Sequence, residues 1–183
     1  MMEIIFRKIK PEDLEMVLEW RTREDISRYM YTDIEKDMTK QIQWYENINR
    51  DRTRIDWIVR VDGNDAGVVS ITNIDKIHKR CDWAFYLALE SARRHGVSNS
   101  IAYNIQEYVF ERLRFNKLCA EVLEKNALVG KWHQMLGSAR EGLRREHILK
   151  NGEYHGVLLY GLLREDWIKN IKGKAKYDKA IFE

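Results

Sequence analysis

One stretch constrains this chain more than any other. Two strand-like runs, 81–89 and 117–123, flank a helical pattern over 97–114, in which Val97, Ile101, Ile105, Tyr108 and Val109 recur at three- and four-residue steps. A strand, a helix and a second strand joined by short turns close as a right-handed crossover with the strands parallel. Ligands of such sheets bind beyond the carboxyl ends of the parallel strands. Chemistry is therefore expected near residues 87–98 and 123–126.

The remaining elements surround that unit. Residues 3–10 alternate around Ile4, Phe6 and Ile9 as a first strand, and Pro11-Glu12-Asp13 opens a helix, with acids at the positive end of its dipole. A second helix is read over 39–49, with Thr39 as its cap and Ile42, Trp44, Tyr45 and Ile48 on its apolar faces. Runs 56–62 and 65–74 meet at Asp62-Gly63-Asn64-Asp65, and runs 139–150 and 155–163 meet at Asn151-Gly152; both junctions carry hairpin chemistry. A helix over 126–136 stops at Gly137. The expectation is one α/β domain over 1–183, a mixed central sheet of about seven strands flanked by helices.

Composition closes off other classes. With 183 residues, 44% apolar, 33% charged and a single Pro, the chain has the bulk to offset its ordering entropy, so disorder is excluded. Lys and Arg number 32 against 29 acids, interleaved along the chain, so no basic face for nucleic acid is expected. The basic tail over 169–179 reads as a solvated end. No apolar run approaches the ~18 residues of a membrane span. The early Glu3 leaves no apolar signal segment. Cys81 and Cys119 form neither a disulfide framework nor a metal-ligand spacing and read as small buried thiols, so no metal is expected. The expected setting is the cytoplasm.

Between strand and crossover helix lies Arg93-Arg94-His95-Gly96-Val97-Ser98. A turn here aims backbone N–H groups and the positive helix end at an anion, with Gly96 allowing close approach and Arg93 and Arg94 adding charge. The plain alternative is a loop with a glycine and a solvated basic pair. Arg93-x-x-Gly96-x-Ser98, following Trp83-Ala84-Phe85-Tyr86-Leu87, resembles the pyrophosphate loop and fourth strand of the GNAT acetyltransferases. Ala120-Glu121-Val122-Leu123-Glu124-Lys125-Asn126, then His133-x-x-Leu136-Gly137, resembles the second half of their cofactor site. The segment from Arg140 to Glu146 and that from Leu158 to Trp167 are similar to the branch of ribosomal-protein and spermidine acetyltransferases. Gly137-Ser138 and Ser98 depart from the pattern, which has Gly-Phe at the first and Gly or Ala at the second.

The resemblance implies a GNAT fold, its sheet splayed between the strands at 81–89 and 117–123, with acetyl-CoA in the gap. It implies that Arg93, Arg94, His95, Gly96, Val97 and Ser98 hold the pyrophosphate. Leu87, Ala88 and Leu89 would pair with the pantetheine arm, and an N–H near Leu87 would polarise the thioester carbonyl. Asn126 would hold the pantetheine, cap the following helix, or both. His133 stands where many relatives have a proton-donating tyrosine, and an ordinary pKa near ~6.5 suits that task; otherwise it is a helix histidine satisfied locally. Glu121 stands where a carboxylate takes the amine's proton, with Glu124 as a rival on another strand face.

Trp20-Arg21, Met30-Tyr31, Gln41-x-x-Trp44-Tyr45-Glu46, Thr72-Asn73-Ile74-Asp75 and Trp83-x-x-Tyr86 look like the nucleotide-aminosugar N-acetyltransferases of the pseudaminic-acid pathway. The likeness implies an acceptor pocket built from Arg21, Met30, Gln41, Trp44, Asn73, Trp83 and Tyr86. Arg21 would pair with a diphosphate, while the aromatics would stack on a base or pack on a deoxysugar methyl. Trp44 and Trp83 read equally as core residues. The partner is then a small-molecule amine, a UDP-linked 4-amino-4,6-dideoxyhexose, taken by a monomer or homodimer. A protein N-terminus or a polyamine is the other acceptor, and a CoA-binding regulatory module is the non-enzymatic alternative.

Overall fold

The structure, a computed structural model, describes residues 2–93 and 96–183. Eight strands form one mixed sheet, β1 (Ile4–Lys8), β2 (Ile55–Val61), β3 (Asn64–Asp75), β4 (Arg80–Leu87), β5 (Lys117–Leu123), β6 (Ala139–Lys150), β7 (Glu153–Leu163) and β8 (Ala180–Phe182). Their order is β6-β7-β5-β4-β3-β2-β1-β8. The β4–β5 and β1–β8 pairs are parallel and the others antiparallel. The helices are α1 (Leu14–Thr22), α2 (Glu24–Ser27), α3 (Met38–Arg50), α4 (Val97–Glu107), α5 (Ala127–Met135) and α6 (Arg164–Asn170). A π turn over Tyr108–Arg112 carries α4 to its end.

The mixed sheet read from sequence is present, and β8 adds one strand to the seven read there. The tail's lysines are exposed, as read from sequence, but two of them are also paired: Lys172 with Glu111, and Lys179, like Tyr177, with Glu107. Asn104 on α4 binds the carbonyl of Asp178 and the amide of Ala180, which sets β8 beside β1. Phe182 then packs edge-on against Phe6 and Trp57.

The two faces of the sheet carry separate cores, sorted by the two-residue strand period. On one face, Trp83 and Leu87 of β4 and Leu118, Ala120 and Val122 of β5 join Val97, Ile101 and Ile105 of α4. On the other, Ile58 and Val68 meet Leu14 and Val17 of α1, with Trp20, Trp44, Tyr45 and Tyr86 packed around them. Arg7 binds Asp13 and Asp65 there, so its buried guanidinium is paired on both sides. This second face carries α1 and α3, and the first bears the crossover helix.

Candidate active site

The parallel pair β4–β5 is short. It runs from Arg80↔Lys117 to Asp82↔Cys119, and beyond that the strands part, β4 reaching Leu87 and β5 reaching Leu123. Each strand stays paired on its outer side, β4 with β3 and β5 with β7. Two backbone edges therefore face one another across a wedge, each with hydrogen-bonding groups that the sheet does not use. The splay is where the resemblance places it.

At the mouth, just past β4, the amides of Ala88 and Leu89 both donate to the carbonyl of Ala66, at 2.7 and 3.1 Å. The carbonyls are taken as well. Arg93 Nε donates to Leu87 at 2.9 Å and Arg23 Nη1 to Ala88 at 2.8 Å. Asp25 on α2 binds both guanidinium groups, at 2.8 and 2.5 Å, and they hold its carboxyl down at about 2. The charge of Arg93, read from sequence as a phosphate partner, is here paired at the surface with a carboxylate while its Nε binds a strand end. Arg94 and His95 lie outside the described residues.

Gly96 is the N-cap of α4 with φ +91°, and a Cβ there would meet nothing within 4 Å, so glycine is required by conformation rather than by space. It turns the chain so that the first helical amides, those of buried Val97 and half-buried Ser98 among them, have no intrahelical acceptor. On the opposite lip, Asn126 precedes α5 and its amide binds the carbonyl of Leu123 at 2.8 Å. Its side chain makes no capping bond. An anion at the Gly96 turn and an extended amide-bearing arm in the wedge match these donors and edges, so the residues present fit a CoA thioester.

His133 on α5 is buried in an aromatic cage. Its ring stacks on Tyr160 at 5.4 Å and 18° and stands edge-on to Trp83 and Trp132. Nδ1 is buried without a hydrogen-bond partner, and burial pushes the imidazolium down to about 4. The ordinary value near 6.5 expected from sequence is therefore not met, and the ring is neutral at pH 7. Gly130 lets α5 lie this close, since a Cβ there would come within 2.5 Å of the Tyr160 hydroxyl.

Glu121 lies on the other face of β5, away from Ala120 and Val122. Its two oxygens have separate partners: Tyr31 Oη donates to Oε2 at 2.8 Å and Arg144 Nη1 to Oε1 at 2.6 Å. Asn73, in the left-handed region at φ +50°, donates to Asp82 on the same face at 2.5 Å. Glu124 is exposed beyond the strand, its amide bonded to the carbonyl of Gly156.

The expected acceptor residues divide between the faces. Trp83, an odd-numbered position on β4, packs with Phe85, Trp132 and His133 on the α4–α5 side. Tyr86 points the other way, towards α1 and α3, so these two do not share a pocket. Of the others, Trp44 and Tyr86 pack on the α1–α3 face and Arg21 faces Tyr86, while Gln41, Trp44 and Tyr45 occupy one stripe of α3. Met30 is half-buried in the segment after α2. Among the described residues, five buried side-chain polar atoms have no hydrogen-bond partner: Arg21 Nη1, Gln41 Nε2, Tyr86 Oη, His133 Nδ1 and Gln106 Oε1. Desolvation pushes the Arg21 guanidinium down and the Tyr86 phenol up. Sequence reasoning quoted Tyr31 and the segment holding Arg144 only as part of the likeness and gave no site role to them, to Arg23 or to Asp25, because their contacts come from 23 to 90 residues away along the chain.

Among the described residues, no group of three His, Cys, Asp or Glu could hold a metal, and no helix is long and apolar enough to cross a membrane. The family model for the acetyltransferase (GNAT) domain matches residues 3–138. YdaF of Bacillus subtilis, which carries a provisional ribosomal N-acetyltransferase name, is 28% identical over 58% of this chain and 57% of its own length. Acetyltransferase PseH of Campylobacter jejuni is 26% identical over 70% of this chain and 78% of its own. Spermidine N-acetyltransferase of Vibrio cholerae, solved with CoA and spermine, superposes with a TM-score of 0.83 at 18% identity, over 91% of this chain and 98% of that one. The donor in this family is acetyl-CoA. Because the family model spans well over half of the sequence, on an α/β fold shared nearly end to end, the chain belongs to the GNAT acetyltransferases.

Proposed function

We propose that this domain transfers an acetyl group from acetyl-CoA to the amine of a nucleotide-linked amino-deoxysugar. One observation carries the choice of acceptor: Arg21, Gln41 and Tyr86 leave buried donor groups without acceptors on the acceptor face. A stranded donor costs about 1–3 kcal/mol, which an acceptor-rich, anionic ligand would repay and a polycation would not. Most of the acids nearby are already committed, Glu121 to Arg144, Asp33 to Lys150, Glu19 to Lys36 and Asp56 to Arg54, with Asp82 held by Asn73. Little free carboxylate is left for a polyamine. The second reading, a polyamine acceptor, rests on the fold shared with the spermidine enzyme.

Acetyl-CoA supplies the acyl group as a thioester. The amides from Gly96 to Ser98 would hold its diphosphate, the open edge of β4 its pantetheine arm, and Asn126 the opposite side of that arm. Arg21 would pair with the acceptor's phosphates while Trp44 and Tyr86 frame its base or sugar. Glu121 would take the proton released as the amine acylates. His133 would line the wedge as a neutral imidazole, donating from an N–H rather than as a cation.

Thiol release from acetyl-CoA, followed with a UDP-linked 4-amino-4,6-dideoxyhexose, spermidine and an N-terminal peptide, tests the reading. The sugar nucleotide is expected to turn over at least about 100-fold faster in kcat/KM than the others, and Arg21→Met to raise its KM about 10- to 100-fold, as loss of a charge-assisted bond implies. Turnover of spermidine or peptide alone would overturn it, as would CoA binding with no turnover of any amine.

A further inference from the structure

The proposed base does not hold itself in place. A glutamate side chain has three rotors, and fixing them costs up to about 2 kcal/mol. Glu121 is gripped from two sides, with one oxygen on Tyr31 and the other on Arg144. Arg144 stands on β6 where its register with β7 breaks before Ile148, which frees the side chain to lean across β7 towards β5. Tyr31 arrives from the opposite direction, in the segment between α2 and α3. That segment is tied on either side: Lys36 binds Glu19 of α1, and Asp33 binds the buried ammonium of Lys150 at the tip of the β6–β7 hairpin.

Building on the reading of Glu121 as the proton acceptor, we infer that Tyr31 is the residue that positions it. Its hydroxyl fixes Oε2, leaving the second lone pair of that oxygen to meet the amine, while Arg144 holds Oε1. The groups around the phenol are Glu121, Arg144 and Asp82. Burial and the bond to Glu121 push its ionisation up, so it stays a donor throughout the working range of the enzyme. Tyr31 belongs to the acceptor-side segment, so the same residue ties the orientation of the base to the seating of the segment that borders the acceptor.

A double-mutant cycle on the amine that turns over decides the point. Tyr31→Phe is expected to lower kcat about 10-fold while the KM for acetyl-CoA stays within about twofold. Glu121→Gln should cost more, and the double variant no more than Glu121→Gln alone, since a positioning group acts only through the residue it positions. Full kcat in Tyr31→Phe, or losses that multiply in the double variant, overturns the inference. Full kcat in Glu121→Gln instead removes the base, and with it the premise. A ¹³C-tyrosine titration checks the contact without turnover. The signal missing from Tyr31→Phe should ionise at lower pH in Glu121→Gln, and an unmoved signal means that the contact does not exist.

Discussion

At the scale of the residue, His133 shows how burial rewrites what a side chain can do. With a folded pKa of about 4 against about 6.5 when unfolded, the unfolded chain binds the extra proton first. The contribution of this group is fully present above pH 6.5 and is lost as the pH falls towards 4, up to about 3 kcal/mol. Urea unfolding at pH 7 and pH 5 should therefore show a loss in the wild type that His133→Phe largely lacks. The phenyl ring suits the cage of Trp83, Trp132 and Tyr160, so the variant should fold. An equal loss in both proteins would mean that the ring is not buried as described. That His133 lies on the helix before Gly137 was legible in the sequence. Its protonation was not, because the cage that sets it comes from three separate elements.

At the scale of the element, the helix that carries Gln41 and Trp44 begins earlier than its sequence suggests. Thr39 reads as the cap, yet Asp37 accepts from the amides of Thr39 and Lys40 at 2.8 and 3.2 Å. Asp37→Ala should cost about 1 kcal/mol in urea unfolding and Thr39→Ala only a few tenths, with the reverse order restoring Thr39 as the cap. Two acceptable caps two residues apart are indistinguishable locally, and the chain's approach to the helix chooses between them. The pairing of Lys172 and Lys179 in the exposed basic tail went unread for a related reason. A run of lysines is solvated unless acids stand opposite, and Glu107 and Glu111 are brought there by α4 and the π turn that extends it. Trp83 and Tyr86 are different: three residues apart on a strand, they had to face opposite ways, so the sequence itself held that answer.

At the scale of the whole molecule, the segment between α2 and α3 is held by contacts with distant parts of the chain. Lys150, at the end of β6, is buried and pairs with Asp33. Asp33→Asn should strand that ammonium and cost about 2 kcal/mol, a modest figure because Asp33 is half exposed; adding Lys150→Met should recover most of the loss. Thermal unfolding of the two variants checks this, and a double variant no more stable than the single would show that the pair does not bind. The mixed sheet, the crossover at 81–123 and the turn at Gly96 were determined by the sequence alone, because strand alternation, helical periodicity and a glycine's left-handed backbone are local properties. Which donors are stranded, what grips Glu121, where the charge of Arg93 goes and how far β4 and β5 part were decided only by the tertiary structure. Each depends on desolvation or on a partner many residues away, and neither is written in any short stretch of chain.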